Sequence, residues 1–234
     1  MKVAALIPAA GEGKRMGYTL CKKPYISIKG YPILFYVLDI LEQIPKIEQI
    51  IIAVSPRDEK VCKRDIIDRF SFKKVTNIVS GGKRRQDSVR NMLQFLSKDV
   101  EIVLIHDGAR PLITKKLVQA SINATEKWGA TVLAVPAKDT IKFADKDRFV
   151  ETTPCREKIW CIQTPQTFRR DVIVDAYKRA YEGGFMGTDD ASLVERIGIK
   201  VKIIMGSYEN IKITTPEDLF IAERIIKERE RHTI

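Results

Sequence analysis

The chain has 234 residues, 44% of them hydrophobic, enough for a sizeable core in one α/β domain or a domain with an appendage, and too apolar on average for disorder. Lys and Arg number 41 against 30 Asp and Glu, a net charge of +11 that suits anionic partners or a solvated lysine-rich surface. Four cysteines without a CxxC pair, and only two histidines, argue against a zinc site and fit free thiols in a reducing cytoplasm.

Lys2 followed by Val3–Ala10 loosely mimics a secretion signal, but the apolar stretch is short and broken by Pro8, so it reads as a buried first strand. No apolar run approaches a membrane span. Pro32 opens a helix with Leu34, Val37, Leu38 and Leu41 on one face. Ile50–Val54 is a second strand, 57–70 an amphipathic helix, Val75–Val79 a third strand, and 87–96 a helix. Ile102–Ile105 is a fourth strand, Thr114 caps a helix running to about Trp128, and Thr131–Val135 is a fifth strand. This alternation predicts a three-layer, Rossmann-like α/β fold, with a mostly parallel twisted sheet flanked by helices.

The rhythm breaks over 137–160. Two short β-like stretches, 140–143 and 148–152, flank an Asp145-Lys146-Asp147 turn and suggest a protruding β-hairpin arm. A lone hairpin is marginal in water, so a second subunit is its natural support. Beyond Trp160 come helices near 170–181 and after Thr188, a strand at 201–205, and a last helix from Pro216 to about Arg229. The chain reads as one domain over 1–234, the arm being a dimerising appendage.

In open α/β sheets ligands bind beyond the carboxyl ends of the strands. The first strand is followed there by Pro8-Ala9-Ala10-Gly11-Glu12-Gly13-Lys14-Arg15-Met16. Small residues let backbone approach an anion and the cations add charge, although the spacing is neither a P-loop nor a dinucleotide fingerprint. Lys22 and Lys23 follow closely; at least one is a candidate phosphate ligand. After the third strand comes Ser80-Gly81-Gly82-Lys83-Arg84-Arg85-Gln86-Asp87-Ser88. Asp87 and Ser88 either cap the next helix or, with the glycines, receive a base and ribose. After the fourth comes His106-Asp107-Gly108-Ala109-Arg110-Pro111, where Asp107 is a turn former or a Mg²⁺ ligand, and His106 reads as structural.

Together these segments resemble the methylerythritol phosphate cytidylyltransferases of the non-mevalonate isoprenoid pathway. So do Trp160 with Gln163-Thr164-Pro165-Gln166, Thr188-Asp189-Asp190-Ala191-Ser192, Asn210-Ile211-Lys212-Ile213-Thr214 and Pro216-Glu217-Asp218, all in order along nearly the whole chain. The resemblance implies CMP transfer from CTP to a polyol phosphate, with Mg²⁺. It implies Arg15 and Lys23 at the CTP phosphates and Asp107 at the metal. Pro8, Ala9, Ala10, Gly11, Gly13, Gly81, Gly82, Asp87 and Ser88 would receive the nucleotide. Arg156 and Lys212 would position the acceptor, with Arg110, Thr164 and Thr188 completing its pocket. The arm would cross to a homodimer partner, so that Arg156 serves the neighbouring site. Lys22 is a possible substitute for Lys23, and Cys155 stands where the family often has Asp. The nearest rival is a ribitol phosphate cytidylyltransferase. A non-catalytic nucleotide- or nucleic-acid-binding protein is the rival of another class, but no nucleic-acid-binding motif is present, and neither nucleic acid nor a membrane is expected as a partner.

Overall fold

The computed structural model describes residues 1–11 and 23–231, with Lys23 described by its backbone. In chain order the elements are β1 (Val3–Pro8), β2 (Ser27–Ile28), β3 (Tyr31–Pro32), α1 (Ile33–Glu42), β4 (Ile47–Val54), α2 (Glu59–Cys62) and β5 (Val75–Ser80). Next come α3 (Arg85–Leu93), β6 (Ile102–Ile105), α4 (Lys115–Trp128), β7 (Ala130–Pro136), β8 (Phe143–Ala144), β9 (Val150–Thr152) and β10 (Trp160–Arg169). The chain continues through α5 (Arg170–Glu182), α6 (Asp190–Arg196), β11 (Lys202–Met205) and α7 (Pro216–Arg231).

One seven-stranded sheet runs in the order β11-β7-β10-β6-β1-β4-β5, and every neighbouring pair is parallel except those that β10 makes. The near-continuous apolar runs of β1, β4, β6 and β7 follow from burial on both faces. Side chains alternate across a strand, and β1 shows the consequence. Val3, Ala5 and Ile7 pack with α1, α2 and α4 on one face, while Ala4 and Leu6 pack with α3, α5 and α6 on the other. Each fully buried Leu, Ile or Val contributes about 1.5–3 kcal/mol relative to exposure. A smaller cluster of Ile28, Ile33, Leu112, Ile213, Ala222 and Ile226 seats α7.

Local signals set the helix ends. Thr114 Oγ1 accepts the Leu117 N–H at 3.3 Å and starts α4; Gly129, at φ 78°, ends it. Pro32 precedes α1 as expected. The helix expected over 57–70 begins at Glu59 and passes into a π-helical stretch, Lys63–Asp68.

Strand β10 fills the stretch before the helix expected near 170–181, where the sequence pattern assigns no element. Its middle is polar and interrupted by Pro165, the opposite of an apolar run. Yet Gln163, Thr164, Gln166 and Thr167 are buried because each finds a partner. Gln163 Nε2 donates to Ser207 O at 2.8 Å, Gln166 Nε2 to Asp189 Oδ2 at 2.7 Å, and Thr167 Oγ1 meets Ser121 Oγ at 2.7 Å. Pro165 sits where the pairing with β7 shifts register, between Ile162 and Gln166, so its missing N–H breaks no ladder bond there.

The hairpin over 137–160 forms its own two-stranded sheet, β8–β9, shorter than the expected stretches. Asp145 Oδ1 accepts the N–H groups of Asp147 at 3.0 Å and Phe149 at 2.8 Å, which closes the turn. Phe143 is 56% exposed and Phe149 73% exposed, so the hairpin buries little apolar surface of its own.

Candidate active site

A cavity of about 810 Å³ opens at the carboxyl ends of β1, β4, β5 and β6. Pro8, Ala9, Ala10 and Gly11 contribute one wall, Ser55 and Pro56 a second, and Gly81 to Arg85 with Ser88 a third. Asp107, Gly108 and Ala109 form its floor beside Lys212 and Thr214, and Pro24 also reaches it.

Small residues are required here by close approach. A Cβ on Gly81 would stand 2.2 Å from Ala10 Cβ and 3.1 Å from Val54 O; one on Gly82 would stand 2.2 Å from Asp87 Cβ. The Gly81 N–H is used by Val54 O at 2.7 Å and the Gly82 N–H by Ser88 Oγ at 3.1 Å. The two glycines thus form a thin, smooth wall whose amide donors are already engaged. Ser88 Oγ also donates to Arg84 O at 3.2 Å.

Asp107 is the electrostatic centre. Its Oδ1 accepts from Arg85 Nε at 2.9 Å, its Oδ2 from Lys212 Nζ at 2.7 Å, and Arg110 Nε lies 3.9 Å from Oδ2. Burial pushes this carboxyl up, but Arg85, Lys212 and Arg110 outweigh it and hold the group well below the ordinary carboxylate range. Arg85 also donates Nη2 to Asp190 Oδ2 at 2.7 Å, and Tyr177 Oη donates to Asp190 Oδ1 at 2.6 Å. Behind the floor, Thr164 Oγ1 accepts the Asp107 N–H at 3.0 Å and faces His106 Nδ1 at 3.1 Å. His106 Nε2 meets Arg110 O at 3.1 Å, which assigns the proton to Nε2. Burial lowers the His106 imidazole to about 4, so it is neutral and structural, as expected of it.

The expected residues divide into groups. Pro8, Ala9, Ala10, Gly11, Gly81, Gly82, Ser88, Asp107 and Lys212 share the cavity wall. Arg110 and Thr164 stand behind Asp107, with Arg110 Nη1 donating to Asn210 O at 2.7 Å. Asp87 lies outside the wall: it accepts the Arg84 N–H at 3.1 Å, closing the first turn of α3, and takes Tyr181 Oη at 2.5 Å. Of its two readings, the geometry is that of the cap. Thr188, just before α6, and Arg156 are exposed and do not line the cavity. Arg156 Nη1 donates to Lys138 O at 3.2 Å within the hairpin. Lys23 begins a 3₁₀ turn, Lys23–Tyr25. Gly13, Arg15 and Lys22 lie outside the described residues. Sequence reasoning assigned no role to Arg85. The available signal was a cation at the first position of a helix, where the helix dipole disfavours it unless carboxylates are near.

Among the described residues no group of three or more His, Cys, Asp or Glu could hold a metal by itself. Mg²⁺ is commonly bound through one or two carboxylates with substrate phosphates and water supplying the rest. Asp107, ionised and in the cavity wall, fits as one such ligand, with Lys212 as the cation that must yield an oxygen.

An open α/β sheet with a glycine-walled, cation-bearing cavity beyond its parallel strands defines a nucleotide-binding α/β protein. Residues 3–228 match the family model described as IspD, 2-C-methyl-D-erythritol 4-phosphate cytidylyltransferase. The chain belongs to this family of nucleotidyltransferases. It is 48% identical over 227 residues to the 2-C-methyl-D-erythritol 4-phosphate cytidylyltransferase of Caldanaerobacter subterraneus, covering 97% of this chain and 100% of the relative. The enzyme of that name from Pelotomaculum thermopropionicum is 47% identical, covering 98% and 96%. Among solved structures, the 4-diphosphocytidyl-2C-methyl-D-erythritol synthase of Anaerococcus prevotii superposes with a TM-score of 0.85 at 36% identity, over 97% and 96% of the two chains. The cytidylyltransferase of Thermus thermophilus gives 0.80 at 29% identity, over 97% and 100%.

Proposed function

We propose that this chain transfers CMP from CTP to 2-C-methyl-D-erythritol 4-phosphate, giving 4-diphosphocytidyl-2-C-methyl-D-erythritol and pyrophosphate. Family membership names the reaction; the observation that carries it onto these residues is Asp107, ionised between Arg85 and Lys212 on the floor of a nucleotide-sized cavity.

The acceptor is a phosphate monoester, largely dianionic near neutral pH because its second pKa is about 6. One of its oxygens attacks the α-phosphorus of CTP, a new P–O bond forms, and the α–β anhydride bond breaks to release pyrophosphate. No general base is needed, so the protein's work is to bring two polyanions together and stabilise charge. The thin wall of Gly81 and Gly82 admits the cytosine and ribose. Arg15 and Lys23 neutralise the triphosphate, and Lys212 leaves Asp107 for a phosphate oxygen. A bound Mg²⁺ would supply Lewis-acid charge neutralisation at the phosphates, with Asp107 as its protein ligand. Arg110, Thr164 and Thr188 complete the acceptor pocket, Arg110 and Thr164 by supporting Asp107 from behind.

The exposed hairpin carries Phe143, Phe149 and Val150 outward, as a homodimer arm would, and Arg156 at its base serves the partner's acceptor site. The free thiols of Cys62, Cys155 and Cys161 support a cytoplasmic location.

The test is pyrophosphate release from CTP, with and without Mg²⁺, using methylerythritol phosphate and ribitol phosphate in parallel. Release that depends on metal and prefers methylerythritol phosphate is expected; equal or better use of ribitol phosphate rejects the acceptor. In the same assay Arg15→Ala and Lys23→Ala should each lose more than about a hundredfold in turnover.

A further inference from the structure

Asp190 sits in the first turn of α6, outside the cavity wall, and is 1% exposed. Its oxygens are both engaged, Oδ1 by Tyr177 and Oδ2 by Arg85. Arg85 in turn gives Nε to Asp107. An unbroken line of hydrogen bonds therefore runs from α5 through α6 and the first residue of α3 to the end of β6. The guanidinium stands between two carboxylates with its fork divided between them. A planar fork can hold two carboxylates at a fixed mutual angle; a lysine ammonium carries the charge without that geometry. Gln86 strengthens the same tie, its Nε2 donating to Phe185 O at 3.2 Å and its Oε1 accepting the Gly187 N–H at 3.1 Å, so the segment leading to Thr188 is anchored to α3.

We infer that Arg85 and Asp190 are positioning residues for the proposed transfer: Asp190 fixes Arg85, and Arg85 fixes Asp107 Oδ1, so that Asp107 meets the nucleotide phosphates in a single orientation. Asp190 lies outside the cavity wall, and Arg85, which lines it, acts here by holding Asp107. This inference rests on the reaction proposed above. It adds that a fully buried carboxylate beyond the cavity governs turnover without governing nucleotide affinity.

Asp190→Asn keeps the side chain's shape and its Tyr177 contact but removes the charge that orients Arg85. With rates taken on the folded fraction, its kcat should fall at least about tenfold while the KM for CTP stays within about threefold, the signature of lost orientation rather than lost binding. Arg85→Lys should show the same split. The double variant should lose no more than the worse single one, because both act through one linkage. A kcat within twofold of wild type in Asp190→Asn overturns the inference, as do losses that multiply in the double variant. A raised KM for CTP at unchanged kcat in Arg85→Lys also overturns it, since Arg85 would then be a direct phosphate ligand. If Asp190→Asn does not fold, Arg85→Lys, which keeps the cavity's charge, decides by the same split. A wild-type chain that releases no pyrophosphate from CTP fails the proposed reaction. An active wild type with an indifferent Asp190→Asn or Arg85→Lys fails this inference alone.

Discussion

Lys212 Nζ lies 2.7 Å from Asp107 Oδ2, the lysine reaching in from the rim and the carboxylate lying on the cavity floor. The lysine side chain is 39% exposed against 7% for the aspartate, so the pair opens on the lysine side. The segment around Lys212 is held where this contact requires: the Ile213 N–H donates to Ala109 O at 2.8 Å, and Ile213 is buried against α7.

Lys212→Met should therefore reduce turnover by more than about tenfold, at least ~1.4 kcal/mol of barrier, by removing a cation that serves the phosphates during transfer. Steady-state pyrophosphate release checks this. Turnover within twofold of wild type would remove Lys212 from the mechanism.

Asp218 supports the same segment from the first turn of α7. Its Oδ2 accepts from Thr214 N at 2.7 Å, Thr214 Oγ1 at 2.9 Å and Thr215 N at 2.9 Å. Asp218→Ala should destabilise the fold by about 1 kcal/mol, as loss of a helix cap does. Burial pushes the Asp218 carboxyl up, but the Thr214 and Thr215 donors prevail and leave it below its ordinary 3.8. A lowered carboxyl stabilises the fold fully above its unfolded value and loses that contribution as pH falls through the folded one. The difference between wild type and Asp218→Ala, read from urea midpoints, should be constant near neutrality and shrink as pH falls below about 4. A difference that grows with acidity contradicts the assignment.

Gly81→Ala tests the thin wall. The added Cβ meets Ala10 Cβ at 2.2 Å with Val54 O behind it, so something must shift. We expect a loss of about 1–3 kcal/mol in stability together with a raised KM for CTP. Denaturant unfolding and initial rates measure the two, and an unchanged KM would detach this wall from the nucleotide.

The hairpin should decide the oligomeric state. Phe149→Asp, at a side chain with little contact in one chain, should leave the monomer fold intact and move the sedimenting species from dimer to monomer. Mixing inactive Arg156→Ala subunits with inactive Arg15→Ala subunits should restore part of the activity if each site borrows Arg156. Verified mixed dimers without activity would count against a shared site.

Much of this was legible in the residues before folding was considered. The apolar runs of β1, β4, β6 and β7, Thr114 as the cap of a helix ending near Trp128, and Asp145 in a turn all act through local propensity or simple periodicity. The family's segments, spread from residue 3 to residue 218, are likewise a linear pattern. Asp107-Gly108 after a buried strand marked the cavity floor because a strand's end in such a sheet has one direction to face.

What tertiary structure alone decided are the partners of polar groups. The middle of strand β10 carries no apolar signature, and partners brought in from distant segments, among them Ser121, Asp189 and Ser207, make its burial favourable. In the same way Arg85 is one of three adjacent cations until β6 and α6 place Asp107 and Asp190 on either side of it. The physical reason is that apolar burial is non-directional and leaves a periodic trace along the chain, whereas a hydrogen bond or ion pair needs two groups at a fixed distance and angle. That distance exists only once the sheet has assembled.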